Sequence, residues 1–299
     1  MPIVFEKVSY EYSVGTPFSK VALRDVSLKI AEGESLCVLG ATGSGKTTFA
    51  LLTNGVLLPT KGSVFVDGLD TADKRVDIKE VRRRVGVVLQ YPEHQFFLPT
   101  VEEEILYAPK NFLAAEQKEL ERSLEEALEL LEIKKELLHR NPFELSGGEK
   151  RRVAIASILS YNPKYLVMDE PLVGLDSKVR SQLLRFLKAL KEMGKTWIVI
   201  SHDVDEFLFM ADRFLVFHDG SLAFDGKREE FVLKAFDHLK EWGLYPSTKL
   251  RFLAALPKEI ASFITDDEKL ESAIVSSGLM DCEEVRNDRS FPLDGSRRF

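Results

Sequence analysis

Two kinds of hydrophobic spacing alternate along this chain. Residues 3–12 place Ile3, Phe5, Val8, Tyr10 and Tyr12 on a strand-like period. Short apolar runs at 36–39, 85–89, 165–168 and 196–200 read as buried strands. Residues 13–20 hold Gly15, Pro17 and two serines and read as a loop. Residues 22–30 and 34–39 predict a hairpin turning at Ala31-Glu32-Gly33. A second hairpin is predicted from 214–217 and 221–224 around Asp219-Gly220.

Between residues 100 and 140 the period becomes helical. Leu120, Leu124, Leu128 and Leu131 mark one face, and glutamates, Lys118 and Arg122 surround the rest. This predicts a helical subdomain, about 95–160, inserted into a sheet domain. From residue 228 only helices are expected. Phe231, Ala235, Leu239 and Trp242 share a face closed by Gly243, and Leu250, Leu253 and Ala254 form a second helix stopped by Pro257. Thr265 and Glu268 resemble a capping box before Leu270, Ala273 and Ile274, closed by Gly278. Apolar stripes on such short helices predict an oligomer contact over 244–280. The polar tail 281–299 is expected to be partly disordered.

Chemistry enters after the run 36–39. Gly40-Ala41-Thr42-Gly43-Ser44-Gly45-Lys46-Thr47 follows a predicted strand and precedes a predicted helix that opens with Thr48. That is the setting in which G-x-x-x-x-G-K-[ST] forms a P-loop. Glycines let the backbone curl so that its N–H groups converge, and a helix N-terminus adds positive potential. Residues 40–48 are therefore the expected phosphate cradle of a nucleoside triphosphate. Lys46 reaches the outer phosphates, and Thr47 offers its hydroxyl to Mg²⁺. Asp169-Glu170, at the end of the run 165–168, supplies the expected partner acids. Asp169 holds Mg²⁺, and Glu170 orients and deprotonates the attacking water.

Composition narrows the class. A net charge of −7 over 299 residues argues against a nucleic-acid partner. No run of 18 apolar residues is present, and the N-terminal residues lack a signal-peptide pattern. Of the two cysteines, Cys37 reads as a small core residue and Cys282 lies in the polar tail, so a reducing cytoplasm is expected.

Leu145-Ser146-Gly147-Gly148-Glu149 reads locally as a capped helix start that brings backbone close to an anion. Lying shortly before Asp169-Glu170, it resembles the signature motif of ABC ATPases. The resemblance covers about residues 3–228 and implies an α/β fold. That fold is a P-loop NTPase of ABC type, with a mixed sheet, an N-terminal antiparallel β subdomain, the inserted helical subdomain and a small helical C-terminal extension. It implies a nucleotide-binding domain over 1–240 and an extension over 241–299. It also implies two head-to-tail protomers, with Ser146, Gly147, Gly148 and Glu149 of one serving the nucleotide of the other. Tyr12 matches the aromatic that stacks on adenine, with Tyr10 as its competitor. Gln90 matches the glutamine that contacts Mg²⁺ and the attacking water, and His202 matches the switch histidine. Asp176, in Gly174-Leu175-Asp176, matches the loop that crosses to the partner. Leu172-Val173 departs from the usual Thr-Ala or Thr-Ser and touches no expected catalytic atom.

The stretches 89–97, 100–104 and 108–111 resemble a narrower branch, the cobalt/energy-coupling-factor ATPases. That resemblance implies an ATP-hydrolysing motor for an importer of vitamins or transition-metal ions. Its partners would be a second ATPase subunit, a membrane coupling protein and a substrate-capturing membrane subunit. The chain would lie peripherally on the cytoplasmic face of the membrane. The alternatives are an ATPase of another ABC importer branch, or a soluble ABC ATPase acting on nucleic acid. Tyr91, Pro92, Phe96 and Phe97, rimmed by Glu93, Glu102, Glu103 and Glu104, form the expected docking surface for an arginine-bearing helix.

Overall fold

A computed structural model describes residues 1–91, 95–113 and 115–256, together with 264, 266, 269, 270, 272 and 273. Among the described residues ten strands form two sheets. The first is antiparallel, in the order β2 (Lys20–Ile30), β1 (Ile3–Tyr12), β4 (Lys61–Val66), β5 (Leu69–Asp70). The second runs β10 (Ser221–Lys227), β9 (Arg213–His218), β3 (Ser35–Leu39), β8 (Thr196–Ile200), β7 (Tyr165–Asp169), β6 (Val85–Val88). All neighbours in this second sheet are parallel except β10 and β9, so the expected mixed sheet is present.

The hairpin expected from 22–30 and 34–39 does not form. β2 pairs instead with β1, from Ile3↔Ile30 to Tyr12↔Lys20, and residues 13–19 become the hairpin loop. β3 crosses to the other sheet and lies between β8 and β9. Burial explains the separation. Every residue of β3 is buried, as a central parallel strand requires, whereas β2 alternates and covers one face only.

Helix α1 (Lys46–Thr53) fills the space between the sheets. Phe49 is fully buried, with its ring 5.1 Å from Phe5 of the antiparallel sheet and 5.3 Å from Phe217 of the mixed sheet. Burying such a ring contributes about 1.5–3 kcal/mol, and each aromatic pair adds roughly 0.5–1.5 kcal/mol.

A short α2 (Ile78–Arg84) leads into β6, and the opposite face of the mixed sheet carries a second core, built with α3 (Val101–Phe112), α4 (Gln117–Leu130), α5 (Gly147–Leu159) and α6 (Ser177–Glu192). Leu120, Leu128 and Leu131 are buried and Leu124 packs against them, as their spacing predicts. Cys37 is a buried core residue. Among the described residues no helix is long and apolar enough to cross a membrane.

The single helix expected through Phe231 and Trp242 is broken into three pieces. α7 (Arg228–Glu230) leads into a π turn at Phe231–Ala235 and a 3-10 turn at Phe236–His238. The wider π turn lays Phe231 flat on Phe214, at 4.6 Å and 14°. The expected apolar face survives, and Gly243 closes the segment at φ 71°.

α8 (Thr248–Ala255) is capped by Ser247, whose hydroxyl accepts from the Leu250 N–H at 3.1 Å. Its Leu250, Phe252 and Leu253 are buried in the chain's own core. The stripe expected to seek an oligomer partner is therefore satisfied within the chain over this helix. Pro257, Thr265, Glu268, Ile274, Gly278, Cys282 and the tail lie outside the described residues. Leu250→Ala should cost about 2–5 kcal/mol of the chain's own stability. Thermal unfolding across a hundredfold range of protein concentration checks this. A loss that deepens on dilution would restore α8 as an oligomer contact.

Candidate active site

The C-terminal ends of β3, β6, β7 and β8 lie side by side, the edge at which open α/β sheets bind ligands. The glycine loop follows β3 and curls because only glycine fits at two of its positions. At Gly40, φ 148°, an added Cβ would come within 2.3 Å of the Phe217 carbonyl oxygen. At Gly45, φ 107°, it would come within 2.5 Å of the Ala22 carbonyl oxygen. α1 then starts at Lys46 with no side chain capping it. Its first-turn amides are thus the free donors that a phosphate needs. The buried Ser44 hydroxyl in the same loop has no hydrogen-bond partner among the described residues. Both features fit a triphosphate.

Lys46 folds over this loop, its Nζ donating to the carbonyls of Gly40 at 2.7 Å and Ala41 at 2.9 Å. Burial lowers its pKa, while Asp169 and Glu170 oppose the shift. Thr47 Oγ1 donates to Asp169 Oδ2 at 2.6 Å, so an oxygen group from the first turn of α1 meets one from the end of β7. Such hard donors suit Mg²⁺. Asp169 is buried, and desolvation raises its pKa. The Thr47 hydrogen bond opposes the rise, the Glu170 charge adds to it, and Lys46 lowers it.

Glu170 occupies the left-handed region at φ 51°. Its N–H donates to the Ile200 carbonyl at 2.9 Å. Its carboxylate Oε1 accepts from His202 Nδ1 at 2.9 Å. The acid at the end of β7 and the histidine after β8 are thereby joined. Gln90 follows β6, and its carbonyl accepts from Arg151. Tyr12 bonds Thr48 Oγ1 at 3.0 Å, which brings it to the start of α1. The Tyr10 ring stands edge-on to Tyr12 at 4.8 Å. Burial raises the Tyr10 hydroxyl's pKa, and the Tyr12 charge adds to it.

The stretch 146–149 is built as the N-terminus of α5. Glu149 Oε2 accepts from the Ser146 N–H at 2.9 Å and from Ser146 Oγ at 2.7 Å, and Ser146 caps the helix. These hydrogen bonds, first those from Ser146, hold the Glu149 pKa low. Gly147 and Gly148 face open space. Among the described residues, Ser146 and Glu149 side chains bond each other and not the glycine loop. Asp176 caps α6 through the Lys178 and Val179 amides and pairs with Arg152 of the same chain.

The expected docking surface is altered by burial. Phe97 is 61% exposed and meets Tyr107 edge-on at 4.9 Å, with Tyr91 exposed nearby in sequence. Phe96 is only 7% exposed and belongs to the core beside Phe143. Glu104 is no rim carboxylate. It is buried and accepts the Phe97 and Leu98 amides, at 2.5 and 2.6 Å, while desolvation raises its pKa. Pro92 and Glu93 lie outside the described residues.

Known proteins resemble this chain in sequence and in fold. The ABC transporter family profile matches residues 23–173. The chain belongs to the ABC transporter family. Among its ABC relatives is the energy-coupling factor transporter ATP-binding protein EcfA2 of Caldanaerobacter subterraneus subsp. tengcongensis. It is 41% identical over 82% of this chain and 85% of the relative. The EcfA2 of Symbiobacterium thermophilum is 46% identical over 74% of this chain and 76% of the relative. Among solved ABC structures, cbiO1 from Clostridium perfringens, part of the ABC transporter complex cbiONQ, has a TM-score of 0.64 at 29% identity. The match covers 88% of this chain and 98% of that one. The dimeric cassette MJ0796 bound to ADP and Pi has a TM-score of 0.66 at 31% identity, covering 76% and 98%.

The raised Asp169 pKa has a stability consequence. A carboxyl titrating above its ordinary 3.8 favours folding fully below that value. The contribution is lost as pH rises through the raised value, so at neutral pH the ionised group is a cost. Asp169→Asn should therefore stabilise the nucleotide-free chain by about 0.5–2 kcal/mol at pH 7. It should also abolish the added stabilisation by Mg²⁺ with ATP. Thermal melts with and without Mg²⁺–ATP check both signs.

Proposed function

We propose that this chain is the ATP-hydrolysing motor subunit of an energy-coupling factor importer for vitamins or transition-metal ions. The observation that carries the reading is the pair of contacts made by the two acids at the end of β7. Thr47 meets Asp169 beside the glycine loop, and Glu170 meets His202 one residue further on. Residues 40–48 bind the ATP phosphates through backbone amides and Lys46. Tyr12 stacks on adenine. Thr47, Asp169 and Gln90 hold Mg²⁺, which when bound supplies positive charge against the phosphate oxygens. Glu170 orients a water and takes its proton, and His202 steadies the Glu170 carboxylate. Residues 1–240 act as the nucleotide-binding domain and 241–299 as its extension.

The family's dimeric members support a second ATPase subunit, with Ser146, Gly147, Gly148, Glu149 and Asp176 facing the partner's nucleotide. A membrane coupling protein and a substrate-capturing membrane subunit complete the assembly, and the chain is peripheral on the cytoplasmic face. Phe97, Tyr107 and Tyr91 offer the coupling protein an aromatic floor, with Glu102 and Glu103 as acceptors for arginine.

Glu170→Gln removes the proton acceptor and keeps the shape. Turnover should fall on the order of 10²–10⁴-fold with ATP affinity unchanged. Steady-state hydrolysis beside equilibrium ATP binding tests it, and turnover within about threefold of the parent refutes the role. Phe97→Asp should prevent co-purification with membrane subunits while nucleotide affinity stays constant. Intact co-purification moves the docking site elsewhere.

A further inference from the structure

Arg151 lies in the first half of α5 and is 7% exposed. Its guanidinium reaches two backbone carbonyls. Nη1 donates to Gln90 at 2.9 Å and Nη2 donates to Glu170 at 2.5 Å. These carbonyls follow β6 and β7, neighbouring parallel strands in register from Val85↔Tyr165 to Val88↔Met168. Glu170 is therefore held at both ends, by Ile200 through its N–H and by Arg151 through its carbonyl. Such support is what a non-glycine residue at φ 51° requires.

We propose that Arg151 is a positioning residue for hydrolysis. It fixes the distance between Gln90 and Glu170 and ties both to the helix that begins at Ser146. The proposal rests on the reading of Glu170 as the base and Gln90 as its neighbour at the water. Two observations separate it from plain packing. A packed side chain needs no polar end, yet this one spends two parallel donors on the backbones of two expected catalytic residues. The next residue, Arg152, pairs instead with Asp176. The start of α5 is thus bonded to the segments carrying Gln90, Glu170 and Asp176. A planar fork can serve two carbonyls at once; a lysine is a point charge that holds one of them less well. Movement of α5 is then movement of Gln90 and Glu170 relative to the glycine loop, which is anchored separately on β3 and α1.

The test uses the full-length chain purified with its membrane partners, as R151K and R151M, with E170Q alongside. Fluorescent-ATP binding, kcat and KM for hydrolysis, and the thermal midpoint are measured for each. For R151K the expected result is a fall in kcat of about 10–100-fold, with KM and ATP affinity within about threefold. Its melting temperature should stay near the parent's. R151M should fall at least as far in kcat, and if it fails to fold, R151K decides alone. R151K turnover within about threefold of the parent overturns the proposal. So does a loss of ATP affinity in step with melting temperature, which would make Arg151 a structural residue only. Lost turnover in E170Q with normal turnover in R151K removes this inference and leaves the hydrolytic reading standing. Normal turnover in E170Q removes both.

Discussion

Phe49 is the contact on which both sheets depend. Its ring touches Phe5 on one side and Phe217 on the other, and it lies in the first turn of the helix that starts at Lys46. The glycine loop must end where that helix begins, so the packing of one apolar ring sets where a phosphate cradle can be. Interiors pack like crystals, and a helix wedged between two layers has little freedom to shift. The antiparallel sheet gains a role from this. It presents Tyr12 to Thr48 on the same helix, so the ring proposed to stack on adenine and the glycine loop share one anchor.

Around that anchor the protein accepts unfavourable charge. Asp169 and Glu170 sit beside each other, and Lys46 is partly desolvated against its own loop. Desolvation disfavours the charged forms of both Asp169 and Lys46. Their hydrogen bonds limit the cost without removing it, which is the usual condition of a site whose partners are charged ligands. The buried Glu104 follows a different logic. Its carboxylate closes the chain between Phe97 and Leu98, and it exposes Phe97 while leaving Phe96 inside.

Local spacing made much of the site legible. The glycine loop, Asp169-Glu170 and the capped start of α5 at Ser146 each announce a local geometry within a few residues, whereas His202 was expected from the family resemblance and meets Glu170 in the fold. What depends on distant pairing was not legible. β2 and β3 look like a hairpin because their turn is short and their strands are regular. Only the burial of β3 between β8 and β9 assigns it to another sheet. The position of Glu104 could have been read from helical period, because Val101, Glu104, Ile105 and Ala108 share the buried face of α3. Arg151 could not. It stands in the basic run Lys150-Arg151-Arg152, and its carbonyl partners come from strand ends 61 and 19 residues away.

The sheet crossing of β3 has a consequence for synthesis. β3 pairs Ser35 with Trp197 and Leu36 with Arg213, so its neighbours are made more than 150 residues later. At roughly 5–20 residues per second the ribosome needs about 8–30 s to bridge that gap. During this interval a strand destined to be wholly buried has emerged without either of the strands that will flank it. Contacts of such long range are also slow to close once the chain is free. The sheet beneath the cradle can therefore close around β3 only after the chain has been made as far as Val216.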